Sequence, residues 1–203
     1  MIHPDFNPPG KAPKLTSRRS TITGLFFLSI TPSIEPTEAE VDEALEILGM
    51  RRGACVCAYC GDNKSEWDHL RAVVKDRAPT GYITELANLV PACGKCNQSR
   101  GNRDWREWML SPARYSPRTR GISGMEARMA RLESYETWGN PIRIDYAQLL
   151  GAEAWSKHLF HLEQVLQVLE QAEDHASMLR SRAVALAGSQ RSQRKAITRQ
   201  EGQ

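Results

Sequence analysis

The sequence predicts an α+β chain with a small, cysteine-clamped centre between helical flanks. Three observations carry this. Two Cys-x-x-Cys pairs, CAYC and CGKC, stand 32 residues apart and enclose the short strand-like pieces EWDHLRAV and ELANLVPA. A capped helical stretch precedes them, and apolar residues at coiled-coil spacing run through the last third of the chain.

In chain order, residues 1–36 are rich in Pro, Lys and Arg and read as an irregular N-terminal arm. Within it, KLTSRRSTITGLFFLSI sets basic residues before an apolar run. That pattern faintly resembles a secretory signal, but the run is short and Gly24 breaks it, so a buried strand is expected. No run approaches the roughly 20 apolar residues of a membrane span. The expected setting is the cytoplasm, with no membrane partner. The core is expected over 37–112. It opens with PTEAEVDEALEILGM, where Thr37 and Glu40 form a capping box and Val41, Ala44, Leu45 and Leu48 recur at helical spacing.

After the cysteine region, NQSRGNRDWREWML reads as one helix, with Trp105, Trp108 and Met109 on a face that suits core packing better than base stacking. SPARYSPRTRGISG is a loop, and MEARMARLESYETWG a short helix. A helical region is expected over 113–188. Trp155, Leu159, Leu162, Leu166 and Leu169 form its stripe, which fits packing on the domain first and a homodimer through the C-terminal helices second. Residues 189–203, SQRSQRKAITRQEGQ, read as a basic disordered tail.

The net charge of +3 is unevenly spread. From Arg51 to Arg120 there are 13 basic and 7 acidic residues, and from Arg180 to Gln203 six basic and one acidic. The middle and the tail therefore suit a polyanion.

In a reducing compartment, paired Cys-x-x-Cys motifs bind metal more often than they form disulfides. Cys57, Cys60, Cys93 and Cys96 supply four thiolates, the donor set of a closed structural Zn²⁺ site with no open position for catalysis. Cys55 falls outside the pattern and is expected to be a buried free thiol.

Between and beside the clamps the order is Asp68-His69, Asn88, then Cys96-Asn97 with Arg100 three further on. With CAYCG, WDHL, NLVPACGKCN and QSRGN, this arrangement resembles the HNH nucleases over Cys55 to Trp108. The resemblance implies a ββα-metal unit: a hairpin and a helix around one divalent ion, braced by the four-cysteine zinc. The third signature position, often His, is Asn97 here. It further implies a metal-dependent endonuclease acting on double-stranded DNA with Mg²⁺ or Mn²⁺. Asp68 and Asn97 would be its oxygen ligands. His69 would be the general base, its Nδ1–H held by Asn88 so that Nε2 is free. Arg100 would sit on the phosphate. Lys95, Arg103, Arg114, Arg118 and Arg120 are candidates for contact with the DNA backbone. Adjacent strand residues face opposite ways, so Asp68 and His69 cannot both meet one phosphate from a flat strand. A site-specific, restriction-type enzyme is expected. The alternatives are a phage or mobile-element nicking or homing nuclease, or an inactive zinc-braced DNA-binding module.

Overall fold

A computed structural model describes residues 12–201, with the side chains of 12–193. Two compact units divide the chain. Gly24–Trp155 forms one, and residues 12–23 with 156–201 form the other.

The first unit opens with most of helix α1 (Arg19–Leu28), where a buried strand was expected. Phe27 is buried, whereas Leu25 is 61% exposed, so one helical face is covered rather than two strand faces. Gly24 is accommodated with open space around it. Helix α2 (Glu38–Ile47) has the expected capping box: Thr37 Oγ1 accepts from Glu40 N, and Glu40 Oε2 accepts from Thr37 N. It ends at Gly49, whose φ of 65° only glycine adopts freely. Gly49 N donates to Glu46 O and Met50 N to Leu45 O, a paired C-terminal cap.

Strand β1 (Glu66–His69) pairs antiparallel with β4 (Leu89–Ala92), setting Asp68 opposite Val90 and His69 opposite Leu89. Between them β2 (Val74–Lys75) and β3 (Ala78–Pro79) make a minute hairpin. Asp76 and Arg77 both take positive φ in its two-residue turn. A 3-10 turn, Leu86–Asn88, leads into β4, so ELANLVPA is half turn and half strand.

Helix α3 (Gly94–Arg100) follows β4 and packs on β1, completing a ββα unit. The stretch expected as one helix is two. Gly101, at φ 58°, ends α3, and Asp104 caps α4 (Trp105–Met109) by accepting from Arg106 N and Glu107 N. Trp105, Trp108 and Met109 are buried in a core with Tyr59, Val90, Leu132 and Tyr135. Leu132 and Tyr135 come from α5 (Met125–Gly139), which matches the expected helix, and α6 (Tyr146–Leu150) follows.

Helix α7 (Ala152–Glu201) is 50 residues long. Of its apolar stripe Leu162 and Leu166 are buried, Trp155 and Leu169 half-buried and Leu159 exposed. The residues expected as a disordered tail continue this helix to Glu201, since no proline or glycine follows Gly188 before that point. Residues 1–11 of the arm and 202–203 of the tail lie outside the described residues. Among the described residues no helix is long and apolar enough to cross a membrane.

Candidate active site

The cysteine pairs come from two kinds of turn. Cys57 and Cys60 flank a tight knuckle closed by Gly61 N donating to Cys57 O, with Gly61 at φ 83°. Ala58 N donates to Pro91 O, which fastens the knuckle to β4. Cys93 follows that strand as the N-cap of α3, and Cys96 stands in the first turn of α3. All four are buried, and their sulfurs lie within 4.8 Å of one another. Cys60 Sγ and Cys93 Sγ are 3.7 Å apart. A tetrahedral zinc with bonds of about 2.3 Å spaces its sulfurs by about 3.8 Å, so the cluster fits that ion. Bonds with Cys60 and Cys96 hold the Cys57 thiol low, while bonds with Cys57 and Cys60 push the Cys96 thiol up. Cys55 is a free, half-buried thiol whose Sγ lies 3.7 Å from Arg51 O.

Strand alternation sends Glu66 and Asp68 to one face of β1 and Trp67 and His69 to the other. Asp68 is 4% exposed, and both its oxygens are occupied. Tyr59 Oη donates to Oδ2 at 2.8 Å, Arg100 Nε to Oδ2 at 2.6 Å and Arg100 Nη2 to Oδ1 at 2.6 Å. Arg100 also donates to the carbonyls of Arg103 and His69. Burial alone would lower its guanidinium pKa, but the bonds to Asp68 carry it above the ordinary value. Burial beside the Asp68 carboxylate holds the Tyr59 phenol well above its usual range. Arg100, expected on a phosphate, is instead a buried partner of Asp68, its guanidinium held inside by that carboxylate and the two carbonyls.

The oxygen donors that meet are Glu66 and Asn97. Asn97 Nδ2 donates to Glu66 Oε2 at 2.5 Å, and both residues are half-buried. A carboxylate and a carboxamide are the hard donors that Mg²⁺ or Mn²⁺ takes, so this set fits such an ion. Sequence reading missed Glu66. Its signal was its place two residues before Asp68, on the same strand face.

His69 is held differently from expectation. Its Nε2 lies 2.9 Å from Thr84 Oγ1, and burial lowers its pKa below the ordinary imidazole value. Asn88 does not hold the ring. Fully buried, it accepts from Arg71 N through Oδ1 and donates from Nδ2 to Arg71 O and Ile83 O. It thus pins the backbone just past β1. Thr84 is itself fixed by two main-chain bonds, Thr84 N to Pro32 O and Ile34 N to Thr84 O. No periodicity marked Thr84, because it lies in an isolated bridge to Ser33 and reaches His69 only through the fold.

Of the basic candidates, Lys95 is exposed on α3. Arg103 is exposed, with Nε donating to Arg100 O. Arg114 lies over the Tyr115 ring, and Arg118 donates to Leu110 O. Arg120 departs from expectation: it points inward, to Cys96 Sγ and Asp62.

Comparison with known proteins agrees with this layout. Residues 57–103 match the family model described as HNH endonuclease. A CRISPR-associated endonuclease Cas9 of Corynebacterium diphtheriae is 40% identical over 63 residues, 29% of this chain and 5% of that protein. The chain thus spans a small fraction of the relative's length. No solved structure matches the chain. Over residues 57–103, then, the chain is similar to the HNH endonuclease family, folded there as two strands and a helix beside a four-cysteine site compatible with zinc.

Proposed function

We propose that the protein is a metal-dependent endonuclease that hydrolyses phosphodiester bonds of double-stranded DNA. The observation that carries this is His69, held through Nε2 by Thr84 inside a segment that matches the HNH family. In the tautomer whose Nε2–H donates to the hydroxyl, Nδ1 is the nitrogen left to accept a proton from water. The burial that keeps the ring neutral near pH 7 suits a base.

The reaction forms a bond from the water oxygen to phosphorus and breaks the bond to the leaving sugar oxygen. His69 removes the water's proton as attack proceeds. Asn97 and Glu66 are the residues that would hold Mg²⁺ or Mn²⁺. A bound ion there supplies positive charge to the phosphate and the leaving oxygen. Asp68 fastens the strand end from which His69 projects. Exposed Lys95, Arg103, Arg114 and Arg118 are the candidates for backbone phosphates, which position a protein without reading sequence. One such site cuts one strand. A double-strand break takes two successive cuts or two copies paired through the C-terminal helices.

The finer reading is a site-specific, restriction-type enzyme of the cytoplasm, with zinc as the structural ion. A phage or mobile-element nicking nuclease is the nearest alternative. A zinc-braced binding module without activity is favoured by one observation, the full commitment of Asp68 to Arg100 and Tyr59.

The test is incubation of the purified protein with supercoiled plasmid and Mg²⁺ or Mn²⁺, beside His69→Ala. Metal-dependent cleavage by the parent and none by the variant is expected. Discrete fragments support the restriction reading and nicks the mobile-element one. A parent that binds zinc and DNA but cuts nothing would leave the binding module standing.

A further inference from the structure

The loop after α4 lies outside the family match, yet it returns one side chain to the cysteine cluster. Arg120 Nη1 donates to Cys96 Sγ at 3.6 Å, and Arg120 Nη2 to Asp62 Oδ2 at 2.6 Å. Cys96 belongs to the second Cys-x-x-Cys pair, and Asp62 lies two residues past the first. One guanidinium therefore spans both halves of the clamp.

The loop does not hold this arginine by chance. Arg120 N donates to Ser116 O. Ser116 is fully buried, with Oγ donating to Ser111 O at 2.7 Å, and Arg118 N donates to Met109 O. The backbone leading to Arg120 is thus fastened, and its side chain is only 18% exposed.

The charge balance calls for such a group. Four thiolates outweigh one Zn²⁺ by two negative charges, in a place that water reaches poorly. A donor on a thiolate draws off electron density and fixes the sulfur's direction, as outer partners of metal ligands do generally. A planar, permanently charged fork can serve a sulfur and a carboxylate together; a lysine ammonium serves them less well.

We propose that Arg120 is a positioning residue of the zinc centre: it ties Cys96 to Asp62, closes the two knuckles over the ion and shields the Cys96 sulfur from attack. This rests on the zinc reading of the four cysteines. It also moves Arg120 from the DNA surface to the metal brace.

The experiment measures zinc content of the full chain, then zinc release to a chromogenic chelator and alkylation of Cys96 by iodoacetamide. Parent, Arg120→Ala, Arg120→Lys and Asp62→Asn are compared. One zinc per parent chain is expected. Arg120→Ala should release it roughly tenfold faster or more, the scale seen for outer partners of metal ligands, with faster alkylation of Cys96. Arg120→Lys should fall between, and it keeps the test readable if the alanine variant does not fold. Asp62→Asn should accelerate release less than Arg120→Ala. A zinc-bearing parent whose arginine variants release zinc and react at the parental rate would overturn the inference. So would Asp62→Asn matching Arg120→Ala, since the sulfur contact would then be idle. A parent that purifies and refolds without zinc fails differently, by removing the zinc reading itself.

Discussion

Tyr59, set between the two cysteines of the first knuckle, donates its phenol to Asp68, the residue before His69, at 2.8 Å. The four-cysteine knuckle and the candidate base thus share one buried carboxylate. Tyr59→Phe deletes a hydrogen bond to a charged acceptor, worth about 1.5–3 kcal/mol, and leaves Asp68 with Arg100. Arg100→Ala does more harm, because it strands a buried carboxylate; such losses run about 3–5 kcal/mol. Urea denaturation of the zinc-loaded protein should rank parent, Tyr59→Phe and Arg100→Ala in falling stability. If Arg100→Ala proved as stable as the parent, the pair could not be the fastening it looks like.

Much of this arrangement was legible in the sequence. The capping box at Thr37 and Glu40 is local chemistry, and it stands as read. The four cysteines announced themselves by spacing, and the fold brings their sulfurs together. What failed were readings that depend on partners. GLFFL looked like a strand because its apolar run is continuous, but only a sheet can make a strand, and no strand pairs with it in the structure described. Asn88 and Arg100 were given work by order along the chain. Their actual partners, Arg71 and Asp68, are set by tertiary packing. Thr84 carried no signal at all.

His69 gives a pH prediction. Its folded pKa lies below the ordinary imidazole value because burial disfavours the charged ring. A base must be neutral, so cleavage should hold across neutral pH and fall only below the pH at which a free imidazole protonates. The stability effect has the same sign. As pH drops through the ordinary imidazole pKa, the unfolded chain takes the proton first, and the fold loses stability there. Rates of plasmid cleavage from pH 5 to pH 8 check the first part. His69→Ala should abolish cleavage while leaving the melting temperature and zinc content close to parental. An acid limb above the ordinary imidazole value would contradict burial as the controlling effect.

The C-terminal end of α7 gives a salt prediction. Truncation after Gly188 removes Arg191, Arg194, Lys195 and Arg199 from a segment with one acidic residue. If these side chains meet DNA phosphates, each lost contact lowers the slope of log affinity against log salt by about 0.9. The truncated chain should therefore bind DNA more weakly at low salt, with a slope shallower by about 1 to 4. Zinc content and cleavage position should not change. Binding isotherms at several salt concentrations decide it, and parallel slopes would make the segment a bystander.

Glu66 and Asp68 are the two carboxylates on one face of β1, and their surroundings differ. Asp68 is closed off by three donated hydrogen bonds, whereas Glu66 accepts one from the Asn97 amide and is half-buried. Taking Asp68 as a cation ligand means breaking its pair with Arg100 and leaving that guanidinium buried without its partner, which is costly. Taking Glu66 means turning one carboxamide so that Asn97 offers its oxygen, which is cheap by comparison. Tryptophan-sensitised terbium luminescence reads the binding of a hard cation without any need for cleavage. Glu66→Gln and Asn97→Ala should each weaken terbium binding roughly tenfold or more, because a hard ion depends on charged and carbonyl oxygens. Asp68→Asn should weaken it less, while costing stability through Arg100. The reverse ranking would mean that the ion draws Asp68 away from Arg100, and that the guanidinium released by that step is free to meet the phosphate.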